Sequence, residues 1–209
     1  MAGALAEAGF SVVARVTDAD VVVVNTCCVT ANAEGKSRRL LTRISRQAPH
    51  ARILFTGCLA QQAPHIARGN SRVAWVVANA YKDRIPALLR EDGGVFHSAP
   101  LAPPRAGSAR LSHRRTRHAV KIQEGCDNRC AYCIVPAVRG PSRSVAAEQV
   151  EVWCRGAVAQ GVREIVRTGT HSGQYASDSI DLAGLIRRLA SSDGTYRVRL
   201  SSLDPRELD

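Results

Sequence analysis

A chain of 209 residues with 45% hydrophobic content is long enough for one large or two small domains and can bury a core. Its formal charge of +11, from 29 Lys and Arg against 18 Asp and Glu, favours a polyanionic partner such as RNA, although a basic solvated surface has the same composition. Aromatic residues are only 4%, which argues against recognition by several stacked rings, and no run is long and apolar enough for a signal peptide or a membrane span; the protein reads as cytoplasmic, with no membrane partner.

Residues 1–9 read as the end of a helix, with Leu5 and Ala8 on one face and Gly9 as a left-handed cap. A strand-like FSVVARV follows. After Asp20 comes VVVVN, a β-branched run expected as a strand buried on both faces of a parallel sheet. Cys27 and Cys28 stand at its carboxyl end, where open α/β sheets place their ligands. A helix over about residues 30–46 puts Leu40, Leu41 and Ile44 on one side and Lys36, Arg38, Arg39, Arg43 and Arg46 on the other, a basic face that suits solvent and RNA equally.

The pattern repeats: RILFTGC is a strand ending at Gly57 and Cys58, LAQQAPHIAR a helix, VAWVVAN a strand and DRIPALLRE a helix. Alternating strand and helix, with cysteines at two successive strand ends, predicts a small parallel α/β domain with a thiolate site along one sheet edge. Cys27 and Cys58 also fit as small buried residues at strand ends. From Gly93 to His118 Gly, Pro, Ala and Ser dominate and no hydrophobic period survives, so this stretch is a connection. Arg110, Arg114, Arg115 and Arg117 at its end suit phosphate or solvent.

Seven cysteines, three of them within eight residues, suit a metal centre in a reducing compartment better than a disulfide framework. The three are Cys126, Cys130 and Cys133. Thiolates this close on one loop converge on a single centre and suit zinc or an iron-sulfur cluster. Structural zinc takes four ligands and the loop supplies three, whereas a 4Fe-4S cluster held by three thiolates leaves one iron open. Beyond the loop, residues 146–160 form a helix with Val150, Trp153, Ala157 and Val158 as its apolar stripe and Cys154 in the core; Gly161 caps it. REIVRTGTH, DLAGLIRRLA and YRVRLSSLDP continue as strand, helix and strand. His171, a lone histidine after a strand, suits a structural role more readily than a catalytic one.

The spacing C-x-x-x-C-x-x-C, with Tyr132 before the last cysteine, resembles the signature of the radical S-adenosylmethionine enzymes. KIQEGC before it and IVPAVRGPSRS after it are similar to the methylthiotransferase branch, NTCCVTANAEGKSR and TGCLAQ resemble that branch's amino-terminal domain, and TGTHSGQY resembles its threonylcarbamoyladenosine tRNA members. The resemblance implies an α/β fold in which residues 1–92 form a parallel-sheet methylthiotransferase domain, 93–118 a basic linker, and 119–209 the first βα units of a partial TIM-like barrel. It implies that Cys126, Cys130 and Cys133 hold a 4Fe-4S cluster whose open iron is chelated by S-adenosylmethionine, contacted by Tyr132, Thr168, Gly169, Thr170, Ser201 and Ser202. It implies that Cys27 and Cys58 are two of three ligands of a second, auxiliary 4Fe-4S cluster.

The remaining family ligand lies in a Gly-Cys segment before the opening helix, and this sequence begins inside that helix, so one ligand is missing and the chain is expected to be truncated at both ends. Recruitment of Cys28 is disfavoured because adjacent side chains on an extended strand point to opposite faces. The implied activity is methylthiolation of threonylcarbamoyladenosine in tRNA through a 5′-deoxyadenosyl radical, with flavodoxin or ferredoxin as electron donor. The alternatives are a truncated remnant that binds iron-sulfur or tRNA without turnover, and a methylthiotransferase acting on a ribosomal protein.

Overall fold

The computed structural model describes residues 1–97, 117–191 and 195–207. Helix α1 (Ala2–Glu7) opens the chain and ends at Gly9, whose φ is +88°. Four parallel strands then build a sheet in sequential order: β1 (Val21–Thr26), β2 (Arg52–Gly57), β3 (Val73–Val77) and β4 (Gly94–Phe96). Helices α2 (Ala31–Gln47), α3 (Cys58–Gln62) and α4 (Ile85–Leu88) connect them. The strand buried on both faces is β2, closed to solvent from Ile53 to Gly57. The VVVVN run is instead the edge strand, and only Val24 and Thr26 of β1 are buried.

Three other expectations change. FSVVARV forms no strand: it is not paired to the open side of β1, its last residue enters a 3-10 turn over Val16–Asp18, and Val12 and Val13 stand 56% and 43% exposed. The LAQQAPHIAR helix stops at Gln62, since Pro64 has no amide hydrogen to carry the ladder on, and the chain continues as a 3-10 turn over Pro64–Gly69. DRIPALLRE keeps only Ile85–Leu88 as α-helix, after a 3-10 turn over Asn79–Arg84. Gly94–Phe96, read as the start of a connection, pairs with β3. Arg110, Arg114 and Arg115 lie outside the described residues.

The second half begins with β5 (Arg117–Lys121) and β6 (Gln123–Glu124), then α5 (Val135–Arg139), β7 (Arg143–Ser144) and α6 (Ala147–Ala159). It continues through β8 (Glu164–Thr168), the short pair β9 (Ala176–Ser177) and β10 (Ile180–Asp181), α7 (Leu182–Ala190) and β11 (Arg197–Leu200). Strands β5, β8 and β11 are parallel neighbours in chain order with helices between them, the opening pattern of a βα barrel. The stripe of α6 packs Val150, Cys154 and Ala157 against Ile165, Leu185 and Leu189, and burial pushes the Cys154 thiol up to about 11. Helix α5 joins the other core: Val138 packs with Cys28, Cys58 and Leu59, and its carbonyl accepts from Asn79 Nδ2 at 2.8 Å.

One residue breaks the pattern of the second core. Arg167 is 1% exposed, and none of its guanidinium nitrogens has a hydrogen-bond partner. Burial pushes its pKa from 12.5 down to about 10, so the folded state sheds that proton before the unfolded state does and stability rises with pH only between those values. At neutral pH the charge is buried at full cost. Arg167→Leu is therefore expected to raise the thermal midpoint by several degrees, since exchanging a buried charge for an apolar side chain is worth about 1–4 kcal/mol. Melting followed by circular dichroism checks this; an unchanged or lower midpoint contradicts it.

Candidate iron-sulfur and cofactor site

The cysteine loop leaves the β6–β7 hairpin at Gly125, where φ is +85° and an added Cβ would run into the carbonyl oxygen of Pro141. Only glycine lets the two ends of the loop lie this close. Backbone bonds hold the turn, Cys126 N donating to Gly140 O at 3.2 Å and Cys133 N to Cys130 O at 3.0 Å. Side chains pin it further: Asp127 Oδ1 accepts from Ser142 N at 2.9 Å, and Gln174 accepts from Asp127 N at 3.0 Å while donating to Asn128 Oδ1 at 3.1 Å.

Gln123 is the hub of the site. It is fully buried, and its Nε2 donates to Gly125 O at 2.8 Å and to Ser142 Oγ at 2.9 Å. Its Oε1 accepts from Thr170 N at 3.0 Å and His171 N at 2.9 Å. One side chain thus fastens the cysteine loop to the loop after β8. Gly169 in that loop has no room for a side chain, since a Cβ would lie 2.8 Å from Ser172 Oγ and 2.9 Å from Gln123 Oε1. His171 Nδ1 lies 3.4 Å from Cys126 Sγ and 3.3 Å from Asn128 Nδ2, and its Nε2 is 2.6 Å from Glu207 Oε1, close but off the hydrogen-bond line.

Cys126, the segment from Thr168 to Thr170, and Ser201 and Ser202 therefore share the carboxyl edge of β5, β8 and β11. Thr168 Oγ1 reaches Val120 O at 3.5 Å and Ser201 Oγ donates to Arg167 O at 3.0 Å; Ser202, at φ +58°, accepts from Ser172 N at 2.9 Å through its carbonyl. Tyr132 stands apart, 91% exposed. Cys126, Cys130 and Cys133 are free and partly exposed, and among the described residues no three His, Cys, Asp or Glu side chains are already gathered as a metal-binding group. The donor chemistry nonetheless fits an iron-sulfur cluster: three uncommitted thiols lie on one loop that is pinned at both ends and short of a fourth ligand.

The first half brings its own cysteines to the same side of the molecule. Thr26 and Gly57 are register partners, so Cys27 and Cys58 follow adjacent strands. At Gly57, with φ +103°, a Cβ would strike Thr26 O, which keeps the two strand ends in close contact. Cys27 is seated on the first turns of α2, its amide donating to Ser37 Oγ at 3.1 Å. Cys28 points into the core at 6% exposure, and burial, helped by Cys58 and Cys27, pushes its thiol up to about 11. Cys58 is buried as well, at 3% exposure, so burial does not separate the two thiols.

Arg139 spans the two cysteine sites. Its Nη1 donates to Thr170 Oγ1 at 3.3 Å, and the guanidinium lies close enough to Cys58 to feel its charge. Burial works against its charge, but Cys58, Glu124 and Cys27 outweigh that and raise its pKa. Burial lowers the pKa of Lys82 nearby; Lys121 pairs with Glu124 at 3.0 Å and, despite burial, holds that carboxyl below its usual range. The edge between the halves is thus rich in cations. Sequence reading assigned no role to Gln123, Arg139 or Glu207. The signal for Gln123 was present, a lone amide directly after the apolar Val120 and Ile122 strand; nothing local marks the other two.

A parallel α/β chain with a three-cysteine loop at the carboxyl edge of successive strands has the layout of a radical S-adenosylmethionine protein. In keeping with this, 80% of the chain superposes with a TM-score of 0.51 and 16% identity on 39% of TsrM from Kitasatospora setae, a radical S-adenosylmethionine methyltransferase, a likeness of fold. Residues 1–78 match the model of uncharacterized protein family UPF0004. The chain is 33% identical to the threonylcarbamoyladenosine tRNA methylthiotransferase MtaB of Chlamydia pneumoniae, over 91% of its own length and 43% of that protein's. It is 35% identical to MtaB of Thermotoga maritima over 100% of this chain and 49% of that one, and 32% identical to the ribosomal protein uS12 methylthiotransferase RimO of Desulforudis audaxviator over 96% and 47%. Over 91% to 100% of its own length the chain is thus similar to methylthiotransferases. It spans about half the length of the curated relatives it matches. Among the described residues no helix is long and apolar enough to cross a membrane.

Proposed function

We propose that this chain carries the cofactor-cleaving and sulfur-supplying parts of a methylthiotransferase acting on threonylcarbamoyladenosine in tRNA. The observation that carries the reading is the tie through Gln123 between the Cys126 loop and the Thr170 loop, with Arg139 reaching from Thr170 to Cys58. The two thiol sites, in this reading, face the same substrate position. In this reading residues 1–92 carry the auxiliary site, 93–118 are a linker, and 119–209 carry the radical site. Cys126, Cys130 and Cys133 would hold one 4Fe-4S cluster, and Cys27 and Cys58 two of the ligands of another. When bound, the clusters and S-adenosylmethionine supply an electron, a radical and sulfur.

The chain's own task is positional. Gly169 lets the loop after β8 close directly onto Gln123 and Ser172, Tyr132 offers a free ring to close over an adenine, and the Gln123 bonds keep the loops from drifting apart. A flavodoxin or ferredoxin is the proposed electron donor. The relatives named for threonylcarbamoyladenosine favour tRNA over a protein acceptor. Nucleoside mass spectrometry of tRNA from cells with and without the gene tests this. Loss of the methylthio group from threonylcarbamoyladenosine on deletion is expected. Intact methylthiolated tRNA, with the modification lost from ribosomal protein uS12 instead, would move the reading to the protein acceptor.

A further inference from the structure

Helix α2 carries five cations and a single acid, Glu34. Arg38 pairs with that acid at 2.7 Å. Lys36, Arg39, Arg43 and Arg46 are exposed, and none has a side-chain partner among the described residues. Their spacing of three, four and three residues places all four on one face of the helix, over about 15 Å, with each cation one turn from the next. The opposite face packs Ser37, Leu41 and Ile44 into the core, so the stripe is held rigid and turned outward.

A helix face built only for solubility mixes both signs, whereas like charges one turn apart cost a few tenths of a kcal/mol each. Four unpaired cations in a row are a surplus that a polyanion would neutralise. The surroundings are polar: Thr42 and Ser45 lie between the arginines, and Asn70, which donates to Ser45 Oγ at 2.7 Å, forms with Ser71 the far wall of a groove beside Arg46. A membrane surface would call for exposed Leu, Phe or Trp flanking the cations; the apolar residues that reach the groove, Leu41 and Ile66, are buried and half-buried against the core, and the rest of its side chains are hydroxyls, amides and guanidinium groups. The helix also points usefully, because Ser37, in its second turn and next to Lys36, holds the Cys27 amide, and the stripe runs from that level toward the far end of the helix.

We propose that the Lys36, Arg39, Arg43 and Arg46 stripe is an RNA phosphate track, along which one strand of the substrate lies as it approaches the Cys27 and Cys58 edge. The inference rests on tRNA being the partner and adds where its backbone is held. Cations one helix turn apart match the repeat of successive phosphates along a strand, and backbone contacts of this kind position a nucleic acid without reading its sequence.

The test is tRNA binding measured against salt for the full chain, for the triple variant Arg39→Gln, Arg43→Gln, Arg46→Gln, and for the same three positions changed to Lys. At roughly 0.7–0.9 per phosphate contact, the glutamine variant should lose about 2 to 3 from the slope of log K against log salt. Its affinity at 0.1 M salt should fall on the order of 100-fold. The lysine variant should keep most of both, which separates charge from folding. Arg163→Gln with Arg197→Gln, at the opposite end of the second sheet, should leave the slope unchanged. Unaltered slope in the glutamine variant, with tight wild-type binding, overturns the track while leaving tRNA as partner. Wild-type protein without salt-dependent tRNA binding overturns both. Displacement of tRNA by poly-glutamate at equal charge overturns the RNA assignment.

Discussion

Gln123→Leu should disable the second half of the molecule. The leucine fills the volume but returns none of the bonds, leaving Gly125 O, Thr170 N, His171 N and Ser142 Oγ without their present partner. Each polar group stranded in a buried setting costs about 1–3 kcal/mol, and the losses are not additive because some of these groups relax toward water. A total of several kcal/mol is expected, a large share of the stability of a domain this size. The same change frees the cysteine loop from the Thr170 loop, so iron uptake should fall with stability. Denaturant unfolding read alongside iron content checks both. Gln123→Glu is the informative companion, since it keeps the acceptor for Thr170 and His171 and loses the donors to Gly125 and Ser142. A leucine variant as stable as wild type, with normal iron, would remove Gln123 from the account.

Cys130→Ala carries the other large effect. Three thiolates hold an open-site cluster with none to spare, so the loss of one should be close to all or nothing. His171, whose Nδ1 lies 3.4 Å from Cys126 Sγ and 3.3 Å from Asn128 Nδ2, is the ring that would have to substitute. The alanine variant is expected to fold, because Cys130 is partly exposed and contributes only its backbone carbonyl to the turn. Reconstitution should then leave this variant with little iron or sulfide and without the brown colour, at an unchanged melting temperature. Retention of a full cluster would mean that some other residue supplies the ligand.

The cysteine loop was legible because its information is local: three thiols within eight residues state their chemistry without knowledge of the fold. Most strands and helices were legible for a related reason, since α2, α6 and α7 repeat apolar residues at helical spacing and end near the positions read for them. What failed was pairing. Nothing in FSVVARV says that the sheet ends at β1, and nothing in VVVVN says that β2, with fewer β-branched residues, lies inside it. Pro64 marks the end of α3 in the sequence itself, since it has no amide hydrogen to carry the ladder on. The contact of Arg139 with both Thr170 and Cys58 is tertiary, made by residues 31 and 81 positions apart from it along the chain, and only packing α5 between the halves reveals it.

Cys126, Cys130 and Cys133 are proposed to hold an iron-sulfur cluster rather than zinc. The most direct measurement is the iron, sulfide and zinc content of anaerobically purified and reconstituted protein in which Cys27 and Cys58 have been changed to Ala, so that only the second half is read. About four iron and four sulfide per chain, with visible sulfur-to-iron absorbance that disappears in the Cys130→Ala variant, is the result expected. One zinc per chain, with no cluster absorbance after reconstitution, would contradict it.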